Sequence, residues 1–280
     1  MGGTRARQLK ARWKALSALI REALGRAFFR NHTERNQRQM AFTFFFRDSQ
    51  TLERAIDDAF PSLQGRAFIH VWDAGCAHGC EPYTLAILLR ERMSNYIFDN
   101  VRIHATDADV SFAGQVTTGV FAEEEVKRVP PGILAKYFQP APTTGFVQAV
   151  PELRNKVSFL HHDLLSLRPI REGLSLVLCK NVLLHFDGRQ RCDVLRMFHQ
   201  ALQPGGILVM ENTQKLPETL SPFFRQVAPY VQVYRKLEPA FGEHQSEQCV
   251  SRRHSELRVD AAGYGPLPDL RTSHRRQAEA

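Results

Sequence analysis

Long hydrophobic runs are absent from this sequence. A helix that crosses a lipid bilayer needs roughly 18 or more consecutive apolar residues, and no stretch of the chain approaches that length. Hydrophobic residues still make up 43% of the chain, which is typical of a water-soluble globular protein. We therefore predict a cytoplasmic protein without a transmembrane segment. Its 280 residues leave room for one substantial α/β domain and an extension.

Paired cysteines are also absent. The five cysteines, at positions 76, 80, 179, 192 and 249, form no C-x-x-C pair, and their number is odd. Zinc sites and disulfide frameworks normally need closely spaced or even-numbered cysteines. The sequence therefore indicates neither a zinc site nor secretion.

Acidic residues are scarce in the first 38 positions. Ten Lys/Arg residues stand there against Glu22 and Glu34, so this segment accounts for the whole formal net charge of +8. Apolar residues recur at helical spacing, which predicts a basic amphipathic helix in an extension over residues 1–40: Leu9, Trp13, Leu16, Ile20, Leu24 and Phe28. The apolar stripe could pack on the rest of the chain or bind a membrane surface, and the basic residues could contact an acidic partner. An organelle transit peptide has a similar composition. Specific nucleic-acid binding is not indicated.

A strand, a glycine-containing turn and a helix start follow one another after residue 66. Residues Ala67–Trp72 have the β-rich composition of a strand, which stops at Asp73. Gly75 and Gly79 follow, and an apolar run with helical spacing starts near Tyr83. This arrangement is typical of a ligand-binding loop, because glycines lack a Cβ and the helix N-terminus offers unpaired N–H groups. Two glycines can also serve the conformation of the turn alone.

A second predicted strand, residues Val101–Thr106, ends in Asp107. A carboxylate at the end of the second strand of a doubly wound sheet accepts hydrogen bonds from ribose hydroxyls. Asp107 is therefore a candidate for binding a nucleotide or adenosyl ligand. The alternative is that it only caps the following helix.

The composition of residues 157–162 predicts a further strand. Asp163 and Leu164 follow it. These two residues could give an adenine group a hydrogen-bond acceptor and an apolar wall. The strand ends in His161 and His162. They do not predict a metal site, because adjacent side chains of a strand point to opposite faces.

An apolar strand is predicted over residues 174–179, with the composition of a sheet centre. Lys180 and Asn181 directly follow this strand. They should therefore lie at the carboxyl edge of the sheet, where doubly wound sheets bind ligands. We expect the reaction centre at this edge.

Eight sequence blocks occur in a fixed order between Thr43 and Leu237. They are T-F-F-F-R-D (43–48), W-D-A-G-C-A-H-G-C-E-P-Y-T (72–84), A-T-D-A-D (105–109), T-G-V-F (118–121), P-P-G-I-L-A-K-Y-F (130–138), D-L-L (163–165), C-K-N-V-L-L-H-F-D (179–187) and L-Q-P-G-G-I-L (202–208). Together they resemble the chemotaxis-receptor glutamate methyltransferases, the CheR family. The resemblance implies a class I methyltransferase fold, an α/β domain with a seven-stranded, mostly parallel sheet and flanking helices. It also implies S-adenosylmethionine as cofactor, S-adenosylhomocysteine as product, and an acidic receptor or signalling protein as substrate.

The resemblance also implies roles for individual residues. Thr43 and Arg47 would line the methionine end of the cofactor, and Glu81 would bind its amino group. The guanidinium of Arg47 could also bind an acceptor carboxylate through two parallel hydrogen bonds. The candidate cofactor-binding residues are thus Thr43, Arg47, Asp73, Gly75, Gly79, Glu81, Asp107, Asp163, Leu164, Lys180 and Asn181, and the candidate catalytic residues are Arg47, Lys180 and His185.

The sequence departs from the family pattern at Ala41, Cys80, Lys180 and His185, where the family commonly has asparagine, glutamate, arginine and tyrosine. His185 bears on the mechanism. A carboxylate acceptor needs no base, whereas an alcohol, phenol or amine usually has to lose a proton, which histidine can accept near neutral pH. His185 could equally replace the tyrosine as a hydrogen-bonding group or pack beside Phe186.

These observations predict a methyltransferase domain over residues 41–237. A small insertion over about residues 139–153 would contact the substrate, as in the family, and residues 238–280 would form a polar, largely disordered tail. The leading hypothesis is O-methylation of glutamate carboxylates on a bacterial signalling protein. The alternatives are a different acceptor, either a small molecule or another protein, with His185 as base, and a cofactor-binding module without turnover.

Overall fold

The computed structural model describes residues 43–238 of the chain. Contacts divide the chain into one unit over Met1–Phe44 and a second over Phe45–Ala280. Only Thr43 and Phe44 of the first unit are described, so the architecture below is that of the second unit. The predicted basic helix within residues 1–40 and the predicted tail after residue 238 lie outside the described residues and stay predictions.

A seven-stranded sheet forms the centre of the second unit. The strands within residues 43–238 are β1 (Ile69–Ala74), β2 (Val101–Asp107), β3 (Val120–Ala122), β4 (Phe138–Pro140), β5 (Phe146–Ala149), β6 (Val157–His161), β7 (Leu174–Cys179), β8 (Leu202–Met210), β9 (Phe224–Gln226) and β10 (Val233–Lys236). The main sheet has the order β6-β2-β1-β7-β8-β10-β9. Neighbours from β6 to β8 run parallel, and β10 runs antiparallel to both β8 and β9. The predicted α/β fold class with a mostly parallel sheet is confirmed.

Helices flank this sheet. They are α1 (Ser49–Leu63), α2 (Cys80–Arg92), α3 (Asn95–Asp99), α4 (Ala113–Thr118), α5 (Pro131–Tyr137), α6 (Pro151–Arg154) and α7 (Gly188–Ala201). The last of them begins with a capping box, in which the Asp187 carboxylate accepts from Gln190 N and the Gln190 amide oxygen accepts from Asp187 N. None of the helices in residues 43–238 combines the length and the apolar character that a membrane crossing requires.

The side chains of β1 alternate between two hydrophobic clusters. Ile69 and Val71 pack in the cluster that includes the apolar stripe of α1. Trp72 points to the opposite face and packs in the cluster that includes α7, where its ring meets Phe198 edge-on at 5.2 Å between centroids. The indole N–H of Trp72 donates to the Thr106 hydroxyl at 2.8 Å. This period of two, normal for a strand, places a hydrophobic layer on each face of the sheet.

A small antiparallel sheet, in the order β3-β5-β4, is built beside the main one. Phe45 packs edge-on against Phe121 of β3 and Phe138 of β4, with centroid distances of 4.9 and 5.4 Å. The predicted insertion over about residues 139–153 contains β5 and most of β4. The sheet also uses β3, which begins at Val120, and the end of the predicted range forms α6 instead of strand.

The connection from β6 to β7 contains one 3-10 turn, Leu164–Ser166, and no α-helix. A crossover between parallel strands usually supplies a helix that covers one face of the sheet. On the face shared with Trp72, Ser158 and Leu160 of β6 are exposed and His104 of β2 is half-buried. Part of this parallel sheet is therefore not covered by any helix among the described residues.

Candidate active site

Two glycines with positive φ shape the turn after β1. Gly75 has a φ of 97° and Gly79, directly before α2, a φ of 92°. A Cβ on Gly75 would lie 2.2 Å from Val182 Cγ2, and one on Gly79 would lie 3.1 Å from Val116 Cγ2. Backbone conformation and packing therefore explain both glycines. Their approach to a ligand is an additional role that stays a prediction.

Asp107 lies at the end of β2, where the sequence predicts it, and its carboxylate fixes the turn after β1. Oδ2 accepts from Ala77 N at 3.0 Å, and Oδ1 accepts from Asp109 N at 2.9 Å. The following 3-10 turn is capped by Asp109, which accepts from Ser111 N. Asp107 is therefore not the cap of that turn. Each of its oxygens keeps a lone pair that a ribose hydroxyl could use.

Asp73, the penultimate residue of β1, carries a buried carboxylate at the carboxyl edge of the sheet. It is 0% exposed, and neither of its oxygens has a hydrogen-bond donor among the described residues. Burial raises the pKa of Asp73 well above its ordinary value, and the nearby charge of Glu81 raises it further. A buried carboxylate is costly unless a cation or a donor compensates it. Asp73 therefore fits a ligand that brings a cationic group into the site.

Lys180 joins three segments of the chain. Its side chain is 2% exposed, and Nζ lies 3.5 Å from Asp48 Oδ2 and 3.5 Å from Glu81 Oε2. Nζ also donates to the backbone oxygen of Arg47 at 3.3 Å. Burial raises the pKa of Glu81, and the charges of Lys180 and Arg47 offset part of that rise. Lys180 therefore holds Arg47 and Glu81 in place from the end of β7.

Three polar residues of this cluster were not predicted from the sequence: Asp48, Glu211 and Asn212. Glu211 directly follows β8 and is buried, and its Oε2 accepts from Asn181 N at 3.2 Å. The Asn212 amide donates to the two carboxylate oxygens of Asp48 at 3.3 and 3.2 Å. A signal for Glu211 does exist, because it follows a buried parallel strand just as Lys180 does.

The predicted adenine-side residues, Asp163 and Leu164, follow β6. Leu164 is buried and packs in the cluster around Trp72. Asp163 is exposed, and its Oδ1 accepts from Leu165 N at 2.9 Å to cap the 3-10 turn. This cap uses one lone pair of the carboxylate, so an amino group of a ligand could still donate to it.

The predicted acceptor-side residues differ in how firmly they are held. Asn181 has a φ of 61°, a conformation that asparagine tolerates. His185 is exposed in the 3-10 turn Leu183–His185, and its imidazole makes no hydrogen bond or ion pair with another described residue. Arg47 is half-buried, and its charge acts on Glu81. Thr43 belongs to the unit that ends at Phe44, so its predicted role stays a prediction.

The adjacent histidines at the end of β6 do not share a partner. His161 Nε2 lies 3.0 Å from Ala108 O, and His162 Nε2 lies 2.8 Å from Arg168 O. Among residues 43–238, no group of three or more histidine, cysteine, aspartate or glutamate side chains could hold a metal ion.

The sequence is similar to a known family and to several curated proteins. Residues 41–230 match the family described as CheR methyltransferase, SAM binding domain. Chemotaxis protein methyltransferase 2 of Vibrio cholerae is 25% identical over 202 residues, which cover 69% of this chain and 70% of that protein. Chemotaxis protein methyltransferase of Borreliella burgdorferi is 28% identical over 182 residues, covering 62% and 64%. The chain thus spans about two thirds of the length of these two relatives.

Solved structures with a similar arrangement of elements share little sequence. N-methyltransferase NodS from Bradyrhizobium japonicum, determined with S-adenosyl-L-homocysteine, has 18% identity and a TM-score of 0.34, and the match covers 58% of each chain. A TehB-like SAM-dependent methyltransferase from Corynebacterium glutamicum has 14% identity and a TM-score of 0.35, covering 74% of this chain and 71% of the other. The fold assignment rests on the strand order of the sheet.

Proposed function

Because the chain belongs to the CheR methyltransferase family, with S-adenosylmethionine as its cofactor, we propose that it methylates glutamate carboxylates of a bacterial chemotaxis or signalling protein. One observation carries the proposal. Lys180, at the end of the central strand β7, holds Arg47 and Glu81 beside the buried carboxylate of Asp73. This arrangement offers a place for a cationic ligand next to an arginine that can receive a carboxylate.

The residues at the carboxyl edge fit the cofactor. Asp73 is a buried carboxylate and Glu81 a half-buried one, and both would accept hydrogen bonds from its amino group. Asp107 would accept from the ribose hydroxyls, and Asp163 and Leu164 would contact the adenine. Bound S-adenosylmethionine supplies an electrophilic methyl group on a positively charged sulfur.

The charges of the site also suit a cationic ligand. The carboxylates gathered at this edge are Asp48, Asp73, Glu81 and Glu211, and the cations are Arg47 and Lys180. Two of these carboxylates, Asp73 and Glu211, each have at least one buried oxygen without a donor among the described residues. Buried oxygens without a donor favour a ligand that brings hydrogen-bond donors or positive charge.

A glutamate side chain suits the acceptor position because its carboxylate is already nucleophilic and needs no base. The protein then has mainly to align the acceptor with the methyl group. Arg47 would hold the acceptor carboxylate through paired hydrogen bonds. The hydrogen bond from Lys180 to the backbone oxygen of Arg47 would fix the position of that arginine.

The test uses the full chain, methyl-tritiated S-adenosylmethionine and cytoplasmic chemoreceptor fragments from the source bacterium. We expect label on the receptor that mild alkali releases as methanol, because esters hydrolyse. Arg47→Ala should reduce the rate by roughly a hundredfold, since loss of alignment can cost that much. Arg168→Ala, an exposed arginine outside the site, is the matched control. Alkali-stable label, or an unchanged rate for Arg47→Ala, would contradict the proposal.

A different acceptor, with His185 as base, is the second candidate because this exposed imidazole is available at the same edge of the sheet. An alcohol or amine acceptor predicts an alkali-stable product and a rate that depends on the imidazole as base. His185→Gln should then lower the rate by about a hundredfold or more. For a glutamate acceptor, both His185→Gln and His185→Tyr should retain most of the activity.

A further inference from the structure

We propose that the uncovered face of β1, β2 and β6 binds an acidic amphipathic helix of a protein partner, at a surface distinct from the cofactor site. We call this surface the open face, and its side chains are Phe68, His70, Arg102, His104, Leu160 and Arg171. His70 and Arg102 are register partners near the amino ends of β1 and β2. The candidate cofactor residues lie at the carboxyl ends of the strands, and the open face extends toward them only at Leu160, the register partner of Thr106.

A helix is the element that this surface lacks. Parallel strands are normally buried on both faces, and the connection from β6 to β7 supplies only a 3-10 turn. Strands lie about 4.8 Å apart, so β6, β2 and β1 together span about 10 Å, the width of one helix. Phe68 and Leu160 border the surface with exposures of 58% and 50%. These two side chains would contact the apolar stripe of the bound helix.

The positive charge of the open face favours an acidic partner. Arg102 Nη1 donates only to backbone oxygens, those of Asp99 at 2.8 Å and Val101 at 2.7 Å. Arg171 Nη1 lies 2.7 Å from His70 Nδ1, and its Nε donates to a backbone oxygen. Neither guanidinium forms an ion pair with a carboxylate in residues 43–238. Their remaining N–H groups could bind carboxylates of a partner.

The two histidines of the open face lie beside its arginines. His70 Nδ1 and His104 Nε2 lie 3.1 Å apart, and their rings stack at 5.3 Å between centroids. The pKa of His70 is lowered to about 4, first by burial and then by the charges of Arg171, His104 and Arg102. Burial and Arg171 also lower the pKa of His104. Carboxylates from a partner would relieve this positive potential.

The chain itself does not offer a complementary segment. Residues 1–42 carry ten Lys/Arg and two Glu, so their charge has the same sign as that of the open face. Residues 239–280 carry six Lys/Arg and six Asp/Glu and have no net charge. A second copy would bring the same positive surface to the contact. An acidic helix from another protein fits the charge of the open face better than any of these.

The probe is a synthetic 18-residue amphipathic peptide with leucines at helical spacing and glutamates on both flanks of the stripe. It is titrated into the full chain at low salt, and the imidazole resonances of His70 and His104 and the ring resonances of Phe68 are followed by NMR. We expect saturable shifts at these three residues and a rise in the pKa of both histidines. A peptide with lysines in place of the glutamates, and a scrambled peptide of the same composition, should not produce them.

Variants of the open face separate the contribution of its charges to peptide binding from that of its apolar contacts. Arg102→Gln combined with Arg171→Gln should weaken peptide binding by about fivefold, as expected for the loss of two exposed ion pairs. Leu160→Glu should abolish binding because it places a negative charge at an apolar contact. Arg225→Gln, on the exposed edge strand β9, is the control and should bind the peptide normally.

Three results would overturn the proposal. The first is the absence of shifts at His70, His104 and Phe68 at saturating peptide. The second is equal binding of the scrambled or lysine peptide. The third is that inorganic phosphate alone produces the same shifts and displaces the peptide, because the surface would then be a site for a small anion.

Discussion

Replacing Asp73 by asparagine is expected to stabilise the protein without cofactor and to weaken cofactor binding. Asp73 is 0% exposed, accepts no hydrogen bond from a described residue and lies beside the charge of Glu81. Asparagine has nearly the same shape, carries no charge and can donate its amide to Glu81. An uncompensated buried polar group costs about 1–3 kcal/mol, so the gain should be about 2 kcal/mol. At roughly 2–4 °C for each kcal/mol in a domain of this size, Tm should rise by about 4–8 °C.

The pH dependence of this gain has a defined sign. The pKa of Asp73 in the folded protein lies well above its ordinary value of 3.8, because of burial first and of Glu81 second. The unfolded chain therefore releases this proton at a lower pH than the folded protein does. The contribution of Asp73 to stability then falls as pH rises from about 4 through the folded pKa. The advantage of asparagine should be small at the acidic end of this window and largest above it.

Thermal unfolding of the full chain between about pH 4 and pH 8 measures the first effect, and calorimetric titration with S-adenosylhomocysteine measures the second. Asp73→Asn should bind roughly tenfold or more weakly, because a hydrogen bond to a charged group contributes about 1.5–3 kcal/mol. Asp57→Asn, an exposed carboxylate that pairs with Arg92, is the matched control. A lower Tm for Asp73→Asn at pH 8, or unchanged affinity for S-adenosylhomocysteine, would refute the reasoning.

Three further predictions concern residues around the sheet. Gly75→Ala should cost about 3 kcal/mol in urea unfolding, because φ is positive there and the new Cβ meets Val182, and adding Val182→Ala should recover the part due to the clash. An unchanged unfolding midpoint for Gly75→Ala would contradict this explanation. Trp72→Phe should cost about 1–3 kcal/mol in the same assay, since the indole N–H bonds a buried threonine hydroxyl. Full stability of that variant would mean that the bond contributes nothing. Arg171→Gln should raise the pKa of His70 from about 4 toward 6.5, because it removes a nearby positive charge. NMR titration of the imidazole measures the change, and an unmoved pKa would mean that Arg171 does not contribute to it.

Strands and the residues that end them could be predicted from local sequence. Asp107 and Lys180 each follow a run of strand-forming residues, and a parallel sheet brings such strand ends to one edge. Their positions in the structure agree with that expectation. Asp48 also accepts locally from the Thr51 hydroxyl, but it was missed as a site residue because its contacts in the site are with Lys180 and Asn212, far away along the chain. No local pattern marks a residue whose role depends on such distant partners.

Other features of the structure could not be predicted from the sequence, because they depend on three-dimensional packing. Gly75 was predicted for the approach of a ligand, and the structure adds Val182, whose side chain leaves no room for a Cβ. The strand β3 has only three residues, too few to show the alternation of a strand, so the small sheet was predicted to begin later than it does. The exposure of His185 likewise depends on how the turn after β7 packs, and no sequence pattern reveals it.

The hydrogen bond from Lys180 Nζ to the backbone oxygen of Arg47 joins residues 133 positions apart in the chain. A ribosome adds roughly 5–20 residues per second, so the lysine is made on the order of ten seconds after the arginine. Asp48 is made at the start of that interval and Glu81 about a quarter of the way through it, and both precede their ammonium partner. The nascent chain therefore cannot assemble its cofactor site in the order of synthesis. A chain released before β7 would lack the cation that holds the beginning of the domain to its middle.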